Sequence, residues 1–270
     1  MSYDVLLRVT RRWYFLVFLL ALQFVPPYTE RGSVRGEDMG RFIFLVLSKA
    51  PVMTLESLFL PLKLLPIGVF ALALILKRRV FRVLAALSFC YFIFLALFQN
   101  MAQTEEYGLS IITSNVLSVA LLAFSWMLEA WVHRTHPRPS LRGTHLILLA
   151  VALFALWYPV DLPSFRPDFR AGFFSNPAGL FVCMVIPLYL TMLLWAVPEV
   201  NFVTLRVTGY VGAILGFWNA LNNFLIFPQL LWWNGVLHLP LLGISLYAVF
   251  VSLRAEPRVV TESGYPSGGR

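Results

Sequence analysis

Apolar residues in this chain come in long runs, not at the spacing of an amphipathic helix or an alternating strand. Short segments rich in Arg, Pro and Gly break the runs. A helix needs about 20 apolar residues to cross a hydrocarbon core. The runs predict helical segments at 13–27, 56–76, 83–99, 109–132, 146–159, 177–196, 207–227 and 237–253. The first and fifth are short for a crossing. A further apolar stretch at 41–48 is too short to span, and Lys49-Ala50-Pro51 follows it. It reads as an interfacial or re-entrant helix, or as the first part of one broken helix reaching residue 76. Pro61 and Pro66 lie inside the second run and predict a kink there. The expected fold class is all-α: a polytopic transmembrane helix bundle of about eight spans, with one short interfacial or re-entrant helix. It forms a single domain over residues 1–255, followed by a flexible cytoplasmic tail at 256–270.

Composition supports the membrane reading. The chain is 59% hydrophobic and 13% charged, against about 25% charge in a soluble domain. Lipid takes the place of the missing polar surface. The net charge of +8 does not point to nucleic acid, because the basic residues sit in short clusters between apolar runs, with no extended basic face. They encode orientation instead. With the N-terminus inside, 14 of the 21 basic residues fall on the inner side, including Arg8, Arg11, Arg12, Lys77, Arg78, Arg79, Arg82, Arg134, Arg138, Arg142, Arg206, Arg254, Arg258 and Arg270. An even number of spans and cytoplasmic termini follow, with the cell membrane as the expected location. The apolar run after Arg12 resembles a signal peptide's apolar region, but it ends in Pro26-Pro27-Tyr28 without a small-x-small cleavage site and reads as a retained span. Cys90 and Cys183 lie far apart inside apolar runs and match no metal or redox spacing.

Ionisable and amide groups at membrane depth are costly, so they are the candidates for function. Glu129, near the inner end of the fourth run, reads as a proton or cation site or as a group paired with a nearby base. Lys63 could snorkel to the outer interface; were the helix broken at Pro61, it would face an outward cavity and hold an anion. Asn219, Asn222 and Asn223 follow i, i+3, i+4 spacing and share one helix face. They predict either hydrogen bonds between helices or the polar lining of a solute pathway, with Asn115 on the facing side. Gly212 and Gly216 form a small-xxx-small pair that allows close helix approach. The outer loops carry Glu105, Glu106, Asp161 and His238, which would form a vestibule if the loops gather.

Enzyme and cofactor templates fail on the residues. No His-x-x-x-His lies within a span, so neither haem nor zinc ligation is indicated, and the sequence names no cofactor. Glu105-Glu106 resembles the paired glutamates of intramembrane prenyl-protein proteases, but the following Arg and the downstream His helices of that family are missing. Asn176-Pro177-Ala178 resembles one aquaporin box; aquaporins carry two, and the capping preferences of Asn and Pro account for this one. The leading expectation is a transporter or channel-like protein for a small solute or ion, acting in the lipid bilayer. The alternatives are an interfacial enzyme acting on a lipid or isoprenoid, and a non-catalytic subunit or assembly factor of a membrane complex. A homo-oligomer fits any of these.

Overall fold

The structure, a computed structural model, describes residues 2–76, 78–137, 142–161, 164, 166–170, 172–173 and 176–255. Lys77, Arg138, Arg258, Arg270 and the tail at 256–270 lie outside the described residues, as do the side chains of Arg78 and Arg79. The protein is 75% helical, with ten α-helices among the described residues. They are α1 (Tyr3–Arg11), α2 (Trp13–Leu22), α3 (Met39–Ser48), α4 (Glu56–Leu76), α5 (Arg78–Phe98), α6 (Thr113–Val132), α7 (Gly143–Trp157), α8 (Val182–Leu194), α9 (Phe202–Leu221) and α10 (Pro228–Arg254). Four stretches, Glu56–Leu76, Val80–Phe98, Thr113–Val132 and Pro228–Arg254, are long and apolar enough to cross a membrane. Helices α2, α7 and α8 are apolar but shorter.

Several boundaries depart from the sequence expectation for identifiable reasons. Arg12 is extended (φ −87°, ψ 146°), and this breaks the N-terminus into an amphipathic α1 and a ten-residue α2. Helix α3 is separate from α4, because a 3-10 turn over Pro51–Thr54 intervenes. The run at 177–196 is also interrupted: a 3-10 turn, Pro177–Leu180, precedes α8, and Phe181 between them is extended. Helix α9 continues into a π-helical turn over Asn222–Ile226.

Two small sheets were not expected. β1 (Tyr28–Thr29), β2 (Met101–Thr104) and β3 (Gly108–Ile111) form an antiparallel sheet in the order β1-β3-β2. Gly108 takes a positive φ of +65°, which closes the β2–β3 hairpin. Helix α3 covers this sheet, burying Phe42 and Val46 against Ala102 and Ile112. β4 (Val160–Asp161) pairs with β5 (Arg166–Pro167). The three-stranded sheet marks one end of the bundle, called the sheet end below. Helix α1 marks the other.

The core is packed from α5, α6, α8, α9 and α10, with Phe92, Leu122, Trp126, Tyr189, Leu205 and Leu241 all buried. Helices α9 and α10 approach closely, as the small-xxx-small pair predicts. A Cβ on Gly216 would meet the Leu242 backbone at 2.9 Å, and Gly212 faces Ser245. Helix α4 runs through both of its prolines without interruption. Pro66 has no N–H for the Leu62 carbonyl four residues earlier, and the Tyr91 hydroxyl, at 3.4 Å, donates to that oxygen instead.

Candidate functional site

Lys63 sits in α4 near the sheet end and is 0% exposed. It does not snorkel, and no break at Pro61 is needed to turn it inward. Its Nζ donates to Asn176 Oδ1 at 2.7 Å and to the Trp157 carbonyl at 3.3 Å. The Phe173 ring lies 4.5 Å away. Trp157 is the last residue of α7, whose final carbonyls have no partner within the helix and form the negative end of its dipole. The 3-10 turn after Asn176 is pressed onto α4 at Lys63, and Tyr91 donates to the Gly179 carbonyl.

Asn176 does more than cap. Its Oδ1 accepts from Ala178 N–H, as an N-cap should, while its Nδ2 donates to the carbonyls of Trp157 (2.7 Å) and Tyr158 (3.4 Å). Tyr158 holds the left-handed conformation (φ 52°) that ends α7. Its hydroxyl donates to Asn234 Oδ1 at 2.9 Å, and Asn234 Nδ2 donates to Asn223 Oδ1 at 3.1 Å. The Asn219 face is thereby tied to the surroundings of Lys63. Within that face the amides also fold back onto their own helix: Asn219 to Leu215 O, Asn222 to Trp218 O and Asn223 to Asn219 O. Among the described residues, no hydrogen bond joins Asn115 to this cluster; it is half-buried at the start of α6.

Glu129 lies in α6 towards the α1 end and is also 0% exposed. Its Oε1 accepts from Thr135 N–H at 2.9 Å. The Thr135 hydroxyl in turn accepts from Asn201 N–H at 3.1 Å. Asn201 is the N-cap of α9, its Oδ1 accepting from the N–H groups of Val203 and Thr204. Tyr3, on α1, donates to the same Oδ1 at 3.2 Å. Burial pushes the Tyr3 phenol up to about 12, so it stays a donor at any physiological pH. The Arg134 guanidinium covers its ring at 4.1 Å. Within this cluster the Asn201 and Thr135 side chains both face the Glu129 carboxyl.

A third buried charge, Arg206, was read from sequence only as an inner-side base. It donates to Leu7 O and Ser252 O, both at 2.9 Å, and staples α1 and the end of α10 to α9. Lys63, Glu129 and Arg206 form no ion pair among the described residues. The ion pairs present there, Arg35–Glu37, Arg41–Glu106 and Lys49–Glu105, lie at the surface of the sheet end.

The vestibule candidates each have local partners of their own among the described residues. Glu105 and Glu106 pair with Lys49 and Arg41 beside α3, at 3.2 and 3.1 Å, and exposed pairs of this kind contribute about 0–1 kcal/mol. The Asp161 carboxylate accepts from Ser164 N–H, which follows β4. His238 is buried within α10, and its Nδ1, facing a carbonyl 2.7 Å away at Asn234, is the protonated nitrogen. No hydrogen bond or ion pair among the described residues links Glu105 or Glu106 to Asp161 or His238. No three His, Cys, Asp or Glu side chains gather as metal ligands among the described residues.

Asn176, Tyr158, Thr135, Asn201 and Tyr3 were not singled out as site residues from sequence. Asn176 carried a signal, since a capping Asn before Pro at the edge of an apolar run marks a buried helix start. Comparison with protein-family models, with curated proteins and with solved structures finds no match.

Proposed function

We propose that this is a multi-pass membrane protein of eight spans, with both termini on the cytoplasmic side of the cell membrane, that acts as a transporter or channel-like protein. The ion is a proton, moved alone or with a small solute, and Glu129 is its binding carboxyl on the cytoplasmic side. The span count is supported by the alternating direction of α2, α4, α5, α6, α7, α8, α9 and α10 between the two ends. Fifteen-residue α7 covers only about 22 Å at 1.5 Å per residue, so its flanking turns must complete that crossing. The polar residues Arg206 and Asn219 lower the apolarity of α9 without shortening it.

One observation carries the functional reading: Lys63 and Glu129 are fully buried near opposite ends of the bundle, and among the described residues neither has an opposite charge paired with it. Burying an ion costs several kcal/mol even after relaxation. A helix end of favourable sign returns about 0.3–2 kcal/mol. A neutral hydrogen-bonding residue would fill either position at lower cost, which favours a functional role for the charge. The Asn219 face contributes less to this reading, since its amide nitrogens are turned onto helix carbonyls and onto Cys183 Sγ.

The test is proton flux in proteoliposomes with an entrapped pH-sensitive dye, driven by a potassium gradient and valinomycin. Wild-type protein should dissipate the imposed force at least tenfold faster than protein-free liposomes, and Glu129→Gln should remove that excess. Wild-type flux equal to the protein-free rate, or unchanged by Glu129→Gln, would sink the proposal.

A further inference from the structure

The α1 end of the bundle gathers exposed arginines from two helix ends. Asp4, Arg8 and Arg11 are spaced i, i+4, i+7 and share one side of α1. Tyr3, Leu6 and Leu7, on the other side, pack against the core. Helix α1 therefore spends its apolar side on the protein and turns its basic side outward. Exposed Arg12 follows in the extended link to α2. Arg254, also exposed, ends α10 with its guanidinium 4.1 Å from the Phe250 ring. Arg11 Nη2 donates to the Leu253 carbonyl at 3.3 Å, which brings the two helix ends side by side.

Among the described residues, Arg8, Arg11, Arg12, Arg254 and Asp4 are in no ion pair. Arg8 reaches only the Asp4 carbonyl of its own helix. Helix C-termini favour basic residues, but the last carbonyls of α10 are already met, Ser252 O by Arg206 and Leu253 O by Arg11. Further from this end the surface turns apolar. Helix α2 leaves Arg12 with exposed Trp13 and Phe18, and α10 approaches Arg254 through exposed Tyr247 and Phe250. Both helices pack on α9. Trp13 stands at the boundary, where an amphipathic ring belongs. Basic groups at one level and apolar surface at the next match the profile of an anionic phospholipid.

We propose that Arg8, Arg11, Arg12 and Arg254 bind the phosphate headgroup of an anionic phospholipid whose acyl chains lie along α2 and α10. This rests on the membrane reading given above and not on proton transport. A guanidinium presents paired N–H donors that match phosphate oxygens. Each basic side chain near an anionic leaflet strengthens the attraction about fivefold. A zwitterionic headgroup has no net charge and lacks that gain.

The experiment follows melting of the protein in a neutral detergent as phosphatidylglycerol, phosphatidylcholine or inorganic phosphate is added. Phosphatidylglycerol should raise the melting temperature about 3 °C or more above the value with phosphatidylcholine. Salt at about 0.5 M should shrink that difference. Arg8→Gln/Arg12→Gln/Arg254→Gln, which leaves Arg11 on the Leu253 carbonyl, should melt like wild type in detergent alone and lose the difference. Arg254→Gln alone should lose part of it, and decides the matter if the triple variant does not fold. Arg31→Gln/Arg166→Gln/Arg170→Gln makes the same charge change among exposed residues at the sheet end and should keep it. An equal response to the two lipids, a response kept without the α1-end arginines, or one lost equally in the sheet-end variant would overturn the proposal. The same rise with inorganic phosphate alone would assign the arginines to a free anion and overturn the lipid. Protein recovered from lysed cells in the soluble fraction without detergent would overturn the membrane reading as well. Protein extracted only by detergent but indifferent to the headgroup would overturn this site alone.

Discussion

Gly179→Ala should unfold or displace the 3-10 turn against α4 and lower stability by about 3 kcal/mol or more. A Cβ at this position would lie closer than 3.0 Å to Lys63 Cα, Lys63 N and Leu62 C. All three are backbone atoms of a continuous helix, so no rotamer change relieves the clash. Overpacking in cores costs about 1–3 kcal/mol, and more where the neighbour cannot move. Thermal melting in a fixed detergent checks this, with an expected drop on the order of 5–10 °C. Gly68→Ala is the control. It lies in the same helix with nothing within 4 Å of its Cβ position, and it should be neutral or gain about 0.5–1 kcal/mol. Equal melting temperatures for the two variants would mean that the turn does not press on α4.

Asn176→Ala should cost about 3 kcal/mol, and Lys63→Met should recover most of the loss. The Asn176 side chain holds the Lys63 ammonium at 2.7 Å, caps the 3-10 turn and satisfies the last carbonyl of α7. A cap alone is worth about 1 kcal/mol. The remainder comes from a buried ammonium deprived of its closest acceptor, which costs more than the 1–3 kcal/mol of a neutral group. In a Lys63→Met background that charge is gone, while Trp157 O still accepts from Asn176 and Asn176 Oδ1 still accepts from Ala178. The double-mutant cycle should therefore show a coupling of about 2 kcal/mol. A cost for Asn176→Ala that is the same in both backgrounds would show that Lys63 does not depend on it.

The helices and the two buried charges were legible in the sequence for the same reason. A run of about 20 apolar residues has few folded alternatives, and a lone Lys63 or Glu129 inside or at the edge of one stands out. The partners of those charges were not legible. Asn176 was readable as a cap, but its second use of Oδ1 for Lys63 depends on α4 and α7 meeting there. Tyr158 enters the site because it takes a left-handed backbone that non-glycine residues seldom adopt. The spacing of Asn219, Asn222 and Asn223 predicts one shared helix face, and the last two fall in the π-helical turn that follows α9. It could not say that their amide nitrogens fold back onto carbonyls four residues earlier while Asn223 and Asn219 also reach α10 and α8. Helix α1 was missed because Tyr3–Arg11 is amphipathic, not apolar; Tyr3 and Leu7 hold it to α9 by contacts nearly 200 residues away in sequence. The short β2–β3 strands fell below the length at which alternation is distinguishable from a polar loop.

Glu129 and Lys63 are approached from different sides of the membrane only if the two ends of the bundle face opposite compartments. Labelling with a membrane-impermeant maleimide tests this directly. Cys90 and Cys183 are first replaced by Ser, and single cysteines are then placed at Glu105, exposed beside the sheet, and at Arg12, exposed after α1. In intact cells Glu105→Cys should label fully, and Arg12→Cys only after the membrane is permeabilised. Labelling of both positions from the same side in intact cells would contradict the account.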